Sequence, residues 1–312
     1  MDISVVIPVY GCRDALYELY SRLSHTLRGV TNNYEIILVN DACPQDSWSV
    51  ISDICKNDKR IIGINFSRNF GQHRAILAGL DIARGDSVVV MDCDLQDRPE
   101  HIPQMYRKLQ EGYDVVWARR LNRKDKNSVK FLSRQFYLIC SFFSGNNIDA
   151  NLSNYSIAKK AVIKEQCKMR ECCRDFSIFQ QWLGFRVAYL DLECDKRASG
   201  KSSYSLIKKL KLALEIITSQ SNRLLYISIV FGLLFVGISM IIIIYNIIKY
   251  FAFDDISEGW TSLLVSIYFV GGIIMMFLGI IGLYIGRIFD EAKSRPLYVI
   301  KEELNYNEKS DS

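Results

Sequence analysis

Seven consecutive residues, Met91-Asp92-Cys93-Asp94-Leu95-Gln96-Asp97, carry three carboxylates and one amide. In an extended segment residues two apart face the same way, so Asp92, Asp94 and Gln96 are expected to converge. Hard oxygen ligands in that number suit Mg2+ or Mn2+, with positions left for water and a diphosphate. An exposed acidic turn is the plain alternative. Against it, the apolar run Ser87–Val90 just upstream sets the carboxylates at the end of a strand, where they would repel one another without a cation.

Other chemistry-bearing residues stand at similar places. Asp41 closes the run Ile36-Ile37-Leu38-Val39-Asn40 and can accept the imino N–H of a base such as uracil; a turn before Pro44 would also use it. Pro8 and Tyr10 end the first apolar run, where an aromatic ring can stack on the same base or simply close a strand. Ser67-Arg68-Asn69-Phe70-Gly71 follows a third run. Two basic stretches remain. One holds Arg119, Arg120, Arg123, Lys124, Lys126, Lys130 and Arg134, broken by Asp125; the other is Lys196-Arg197-Ala198-Ser199-Gly200-Lys201-Ser202-Ser203-Tyr204. Arginine forks suit bidentate phosphate contact, and the second stretch could close over a phosphate, although its glycine spacing is not that of a P-loop. The alternatives are a solvated basic surface or a nucleic-acid patch, and aromatics are not interleaved as a single-strand platform requires. His25, His73 and His101 join no nucleophile and are read as structural.

The elements that must hold these residues follow from periodicity. Strands are expected at Ile3–Ile7, Glu35–Val39, Ile61–Phe66, Ser87–Met91 and Val115–Ala118, with helices at Ala15–Leu27, Trp48–Cys55, Arg74–Ala83 and Ile102–Leu109. Runs such as Val88-Val89-Val90 are apolar on both faces, as in a covered parallel sheet. Alternating strands and crossover helices imply an α/β, doubly wound, mostly parallel sheet, whose ligands sit beyond the carboxyl ends of the strands. Asp46 is expected to cap the second helix and Gly85 to close the third. The polar end, Asn305–Ser312, is expected to fray.

Charge and hydropathy divide the chain. Residues 1–223 carry 33 Lys/Arg against 25 Asp/Glu, and residues 224–312 carry 6 against 9. The larger part is therefore basic, which suits phosphate ligands or an anionic membrane surface. Nine cysteines without a CxxC spacing argue against a zinc ribbon or a disulfide framework. The N-terminus lacks the basic n-region of a signal peptide. Uncharged runs of 25 residues between Arg223 and Lys249, and of 28 between Glu258 and Arg287, each exceed the ~20 residues that a membrane helix needs. Lys/Arg on the outer flanks and Asp254, Asp255 and Glu258 between the runs predict a hairpin with both termini cytoplasmic. Ser203–Ser219 groups Leu206, Leu210, Ala213, Leu214 and Ile217 on one face, the pattern of an interfacial helix. Gly282 and Gly286 have a small-xxx-small spacing, which could let helices pack closely or simply reflect the frequency of Gly in membrane helices. The expected organisation is a catalytic domain over 1–202, an interfacial helix over 203–223, spans over 224–248 and 260–286, and a tail over 287–312.

The chain resembles a known family in several motifs taken in order. They are Val5-Val6-Ile7-Pro8-Val9-Tyr10, Leu38-Val39-Asn40-Asp41, Ser67-Arg68-Asn69-Phe70-Gly71, Gly85-Asp86, Asp92-Cys93-Asp94-Leu95-Gln96-Asp97, Gly200-Lys201-Ser202-Ser203-Tyr204 and Arg295-Pro296-Leu297-Tyr298. They look like family 2 glycosyltransferases of GT-A fold, in the polyprenyl-phosphate branch that includes bactoprenol glucosyltransferases and dolichol-phosphate mannosyltransferases. The resemblance implies that Asp41 binds the nucleotide base and that Asp92, Asp94 and Gln96 hold the metal and donor diphosphate. It also implies that Arg119, Arg134 and Arg197 contact donor or acceptor phosphates, with Lys201 and Ser202 beside them. Two positions differ from the family pattern. Cys12 stands where many relatives carry Glu, and Asn154-Tyr155 stands where many carry an Asp-aromatic pair proposed as the catalytic base.

The expected activity is an inverting transfer from a nucleotide sugar, UDP-linked rather than GDP-linked, to a polyprenyl phosphate at the inner membrane, by a chain expected to form homo-oligomers. A lipid phosphate is anionic at neutral pH and can attack without losing a proton, whereas a sugar hydroxyl wants a carboxylate base. Asn154 therefore matches a phosphate acceptor. If a base exists, Asp97 and Asp149 are the spare candidates. A lipid-linked sugar hydroxyl as acceptor, and a membrane-anchored binding protein without catalysis, are the competing readings.

Overall fold

The computed structural model describes residues 1–121, 152–171, 176–193, 223–253 and 259–306. In chain order the first unit contains β1 (Ile3–Val9), α1 (Leu16–Arg28), β2 (Tyr34–Asn40), α2 (Ser47–Asn57), β3 (Ile61–Phe66), α3 (Gln72–Ile82), β4 (Ser87–Val90), α4 (Ile102–Gln110) and β5 (Val115–Leu121). It continues with β6 (Leu152–Lys159), α5 (Lys160–Lys168), α6 (Phe176–Trp182) and β7 (Val187–Glu193). Two long helices, α7 (Arg223–Phe253) and α8 (Trp260–Ala292), form a second unit before β8 (Ile300–Leu304) returns to the first.

The strands form one sheet in the order β7-β5-β6-β4-β1-β2-β3-β8. β1 pairs in parallel with β2 and β4, and β2 with β3. All residues of β1, β2 and β3 are buried, because helices cover both faces. Side chains alternate across a strand, and the core divides accordingly. Val5 and Ile7 pack with Leu19 and Leu23 of α1 and Ile51 of α2. Val6 and Ile37 pack on the opposite face with Ala75 and Ile76 of α3. The five expected strands and four expected helices are all present, with ends shifted by a few residues.

Three strands escape the periodicity reading. β6 lies antiparallel between β4 and β5, so the fifth strand is not beside the fourth. β7 pairs in parallel outside β5, and β8 runs antiparallel along β3. The expected tail over 287–312 is therefore partly sheet. Asn305 does not fray: its Nδ2 donates to the carbonyls of Cys55 at 2.6 Å and Ile61 at 2.9 Å.

Two local expectations are corrected. Asp46 holds the N-cap position of α2, but its backbone is left-handed with φ 54° and its side chain makes no capping bond. Gly85 does not close α3, which ends at Ile82 with Ala83 extended. Glycine is needed there for close approach. Its N–H donates to Ser4 Oγ at 2.7 Å, and a Cβ would lie 2.5 Å from the Ser4 backbone nitrogen. Ser4 Oγ in turn donates to buried Glu35 at 2.6 Å, and the Arg84 guanidinium reaches the same carboxylate at 2.7 Å.

In the second unit, α7 and α8 each contain a stretch long and apolar enough to cross a membrane, Arg223–Ile242 and Ser266–Ala292. At 1.5 Å per residue the 31 residues of α7 span roughly 46 Å, beyond the ~30 Å of a bilayer core. Phe235 and Phe269 bring the two helices together with ring centroids 5.7 Å apart. A Cβ at Gly282 or Gly286 would meet nothing within 4 Å, so these glycines mark no close helix contact among the described residues. The expected interfacial helix over 203–223 lies almost wholly outside the described residues.

Substituting Gly85 by alanine should push its methyl into the backbone of β1, which cannot move as a side chain can. Overpacking of this kind costs about 1–3 kcal/mol or more. A lowered midpoint in thermal unfolding of the detergent-solubilised protein checks it, and an unchanged midpoint would mean that the turn has slack.

Candidate active site

The carboxyl ends of β1 to β4 lie side by side, and their loops carry the acidic residues. Asp41 follows β2 and is 2% exposed. A buried carboxylate needs donors, and it has them: Phe70 N–H donates to Oδ1 at 2.6 Å and Gly71 N–H to Oδ2 at 2.9 Å. Burial raises the Asp41 carboxyl above its ordinary range, opposed by these two amides and by Arg74 and Arg68. Gly71 adopts φ 98°, which only glycine tolerates easily. Asn69 Nδ2 also donates to the Asp41 carbonyl at 3.3 Å. The expected base-binding carboxylate is thus the anchor of the 67–71 loop, a partner that the sequence reading did not foresee.

Beyond β4 the backbone does not run on as a strand. Leu95 has φ 62° and is buried, so the chain bends between Asp94 and Gln96. The Gln96 N–H donates to Asp94 Oδ1 at 3.1 Å. The alternation expected to aim Asp92, Asp94 and Gln96 together is therefore replaced by a turn, in which the backbone of Gln96 faces Asp94. Gln72 opens α3 and donates from Nε2 to Asp92 Oδ1 at 2.6 Å. Two loops thus meet at Asp92, and this glutamine escaped sequence reasoning because its partner lies 20 residues away.

Neighbouring strands complete the surroundings. In the antiparallel register of β4 and β6, Val90, the last residue of β4, is opposite Ser156, two residues along β6 from Asn154. Tyr155 beside it is buried and donates its hydroxyl to the Arg98 carbonyl at 2.8 Å. Asp97 is 1% exposed, and its Oδ2 accepts the Asp92 N–H at 3.4 Å; it buttresses the loop and does not open toward a substrate as an expected base would. Pro8 is buried within β1, whereas Tyr10 is 52% exposed and can present its ring. Cys12 is a buried free thiol. Arg119 is not an open phosphate fork: Nε and Nη2 donate to the carboxylate of Asp191 on β7 at 2.6 and 3.1 Å. His73 has the structural role expected of it, with Nδ1 accepting the Phe176 N–H at 3.2 Å. Arg134, Asp149, Arg197, Lys201 and Ser202 lie outside the described residues.

The family model described as Glycosyl transferase family 2 matches residues 4–179. The chain belongs to glycosyltransferase family 2. Over 97% of its length this glycosyltransferase is 33% identical to a "Bactoprenol glucosyl transferase" of Shigella phage SfV, covering 99% of that protein. Over 96% it is 30% identical to an "Undecaprenyl-phosphate 4-deoxy-4-formamido-L-arabinose transferase" of Aeromonas hydrophila, covering 93% of it. Among solved structures, mannosyl-3-phosphoglycerate synthase from Rubrobacter xylanophilus aligns over 70% of this chain and 72% of its own, with TM-score 0.51 and 15% identity. That likeness is one of fold: the mixed sheet with helices on both faces is GT-A-like. The resemblance to family 2 glycosyltransferases of GT-A-like fold read from the motifs therefore holds.

In this glycosyltransferase Asp92 and Asp94 offer two hard carboxylates at the end of a central strand. Among the described residues no group of three His, Cys, Asp or Glu side chains is placed to hold a metal ion. That donor set fits a cation which keeps water and takes its remaining ligands from a diphosphate, as Mg2+ and Mn2+ do.

Removing the Asp41 carboxylate by Asp41→Ala leaves the Phe70 and Gly71 amides without their acceptor. Orphaned amides cost about 1–3 kcal/mol each, so hydrogen exchange over residues 67–72 should speed by at least roughly tenfold. Protection equal to the wild type would show that the loop is held by its other contacts alone.

Proposed function

We propose that this glycosyltransferase moves a sugar from a UDP-linked donor to the phosphate of a polyprenyl lipid, with inversion at the anomeric carbon. The bond from C1 to the donor diphosphate breaks, and a bond from a lipid phosphate oxygen to C1 forms. The nucleoside diphosphate leaves, and no proton needs to be taken from the nucleophile. The observation that carries this reading is Asn154 on β6, an amide at the position where the family pattern has the carboxylate that a hydroxyl acceptor would call for. An amide cannot take a proton, and an anionic phosphate does not need it to. The names of the bactoprenol and undecaprenyl-phosphate relatives support the same acceptor class.

Roles for the chain's own residues follow. Asp92 and Asp94, with Gln96 behind them, would hold Mg2+ or Mn2+, which when bound neutralises the leaving diphosphate. Gln72 keeps Asp92 oriented toward that position. Tyr10 offers its ring to the base, and the 67–71 loop, tied to Asp41, borders the donor. Arg134, Arg197, Lys201 and Ser202 supply contacts to the acceptor phosphate. The two apolar helices are read as a membrane hairpin with both termini cytoplasmic.

Full-length protein in detergent, given a panel of UDP- and GDP-sugars and undecaprenyl phosphate, should yield a glycosyl phospholipid with an acid-labile sugar-phosphate bond. Asp94→Asn should remove nearly all turnover, since it deletes a charged ligand beside the leaving group. An inert lipid phosphate together with extension of a lipid-linked sugar would move the protein to the hydroxyl-acceptor reading. For topology, Ser257→Cys should react with an impermeant thiol reagent from the outer side of intact cells. Labelling only after permeabilisation would reverse the orientation.

A further inference from the structure

The chain that follows the second apolar helix does more than close the sheet. Tyr298 lies face to face with Phe66, centroids 5.3 Å apart and planes 13° from parallel. Phe66 meets Phe70 edge to face at 5.5 Å and 86°. Phe70 is the residue whose amide Asp41 accepts, and the Arg68 guanidinium lies 4.1 Å from the centre of its ring. Around the rings the backbone is tied as well: Ser67 N–H donates to the Val299 carbonyl at 3.0 Å. The far end of Tyr298 is fixed too. Its hydroxyl donates to Asp81 Oδ2 at 2.6 Å, and Arg170 grips the same carboxylate through two bonds of 2.8 Å. Burial, and then Asp81, hold the Tyr298 phenol well above its ordinary value, so it stays a neutral donor.

β8 covers the β3 edge with its backbone ladder, with the Trp48 indole donating to Glu302 at 2.9 Å, and with Ile300 and Leu304 packed on the core. A ring stacked into the root of the loop is a separate device. Phe66 is the last residue of β3, and the loop leaves from it directly. A Phe66 ring fixed on one face restricts where Phe70 can sit, and Phe70 carries the backbone donor to Asp41.

We propose that Tyr298 is a positioning residue for the donor loop: through the Phe66 and Phe70 rings it holds residues 67–71 in the donor-binding arrangement, so the segment leaving the second apolar helix sets donor affinity. This rests on the reading that the loop borders a nucleotide sugar. Aromatic pairs contribute enough beyond their buried area to change an equilibrium about two- to twelvefold, and two ring contacts act here in series. Tyr298→Leu in the full chain should therefore raise the donor KM by about that factor, with kcat little changed, and should speed hydrogen exchange over 67–72 to a similar extent. Tyr298→Phe keeps the stack and should restore both values to within about twofold of the wild type. Asn305→Gly removes the side-chain anchor at the other end of β8 without adding strain at its positive φ, and serves as the control for simple loss of stability.

The proposal stands if Tyr298→Leu loosens the loop and weakens the donor while Asn305→Gly, at a matched loss of thermal stability, does neither. It is overturned if the loop in Tyr298→Leu exchanges as in the wild type, if donor KM is unchanged, or if both variants act alike. Exchange is read without any sugar present. A wild type that makes no glycosyl phospholipid would count against the acceptor reading, and the exchange comparison would still decide whether Tyr298 holds the loop.

Discussion

Sinking a carboxylate into the end of a sheet removes its hydration, and only hydrogen-bond donors can compensate. Asp41 meets that demand with two successive amides from a loop after the next strand. Everything around the site is arranged by this need. The loop must turn back over β2, which requires the left-handed Gly71, and must then begin α3 with Gln72 beside Asp92. Neutral partners reinforce the same corner: Asn40 Nδ2 donates to Asn65 Oδ1 at 2.9 Å across the ends of β2 and β3. Asp41 and Asp92 are consequently joined by one short stretch of chain. Neither can be displaced without disturbing the other.

Much of the fold is legible in apolar runs. β1 to β4 are fully covered, so their composition is continuous and their spacing regular. The strands that periodicity misses have no such composition. β6 carries Ser153, Asn154 and Ser156 because one end of it borders the site, and β8 is largely charged because it is an edge strand that opposes water. Their pairing partners lie far away in sequence, β8 against β3 across more than 200 residues. No local pattern reports that.

The site divides along the same line. The positions of Asp41, Asp92 and Asp94 at strand ends are legible because each directly follows an apolar run. Arg119 is misread: as a residue type it suits phosphate, but pairing of β5 with β7 brings Asp191 opposite it and occupies its fork. Leu95 is opaque in another way. A left-handed leucine is costly for a local reason and is tolerated only because its side chain is buried. Gln72 is ordinary in sequence, and Tyr298 is legible only as the end of a family motif; both acquire their contacts from tertiary structure.

The late return of β8 has a consequence for biosynthesis. β3 is made early, and its outer edge offers unpaired N–H and C=O groups until Ile300–Leu304 arrives. Every residue of both apolar helices must leave the ribosome before that happens. The nascent sheet therefore waits with an unpaired flank while both helices are made, a situation that favours non-native strand addition. Charged residues on β8, Lys301, Glu302 and Glu303, then turn the finished flank toward water. Completion of the sheet therefore waits on synthesis of both apolar helices, with the final segment acting as the stopper.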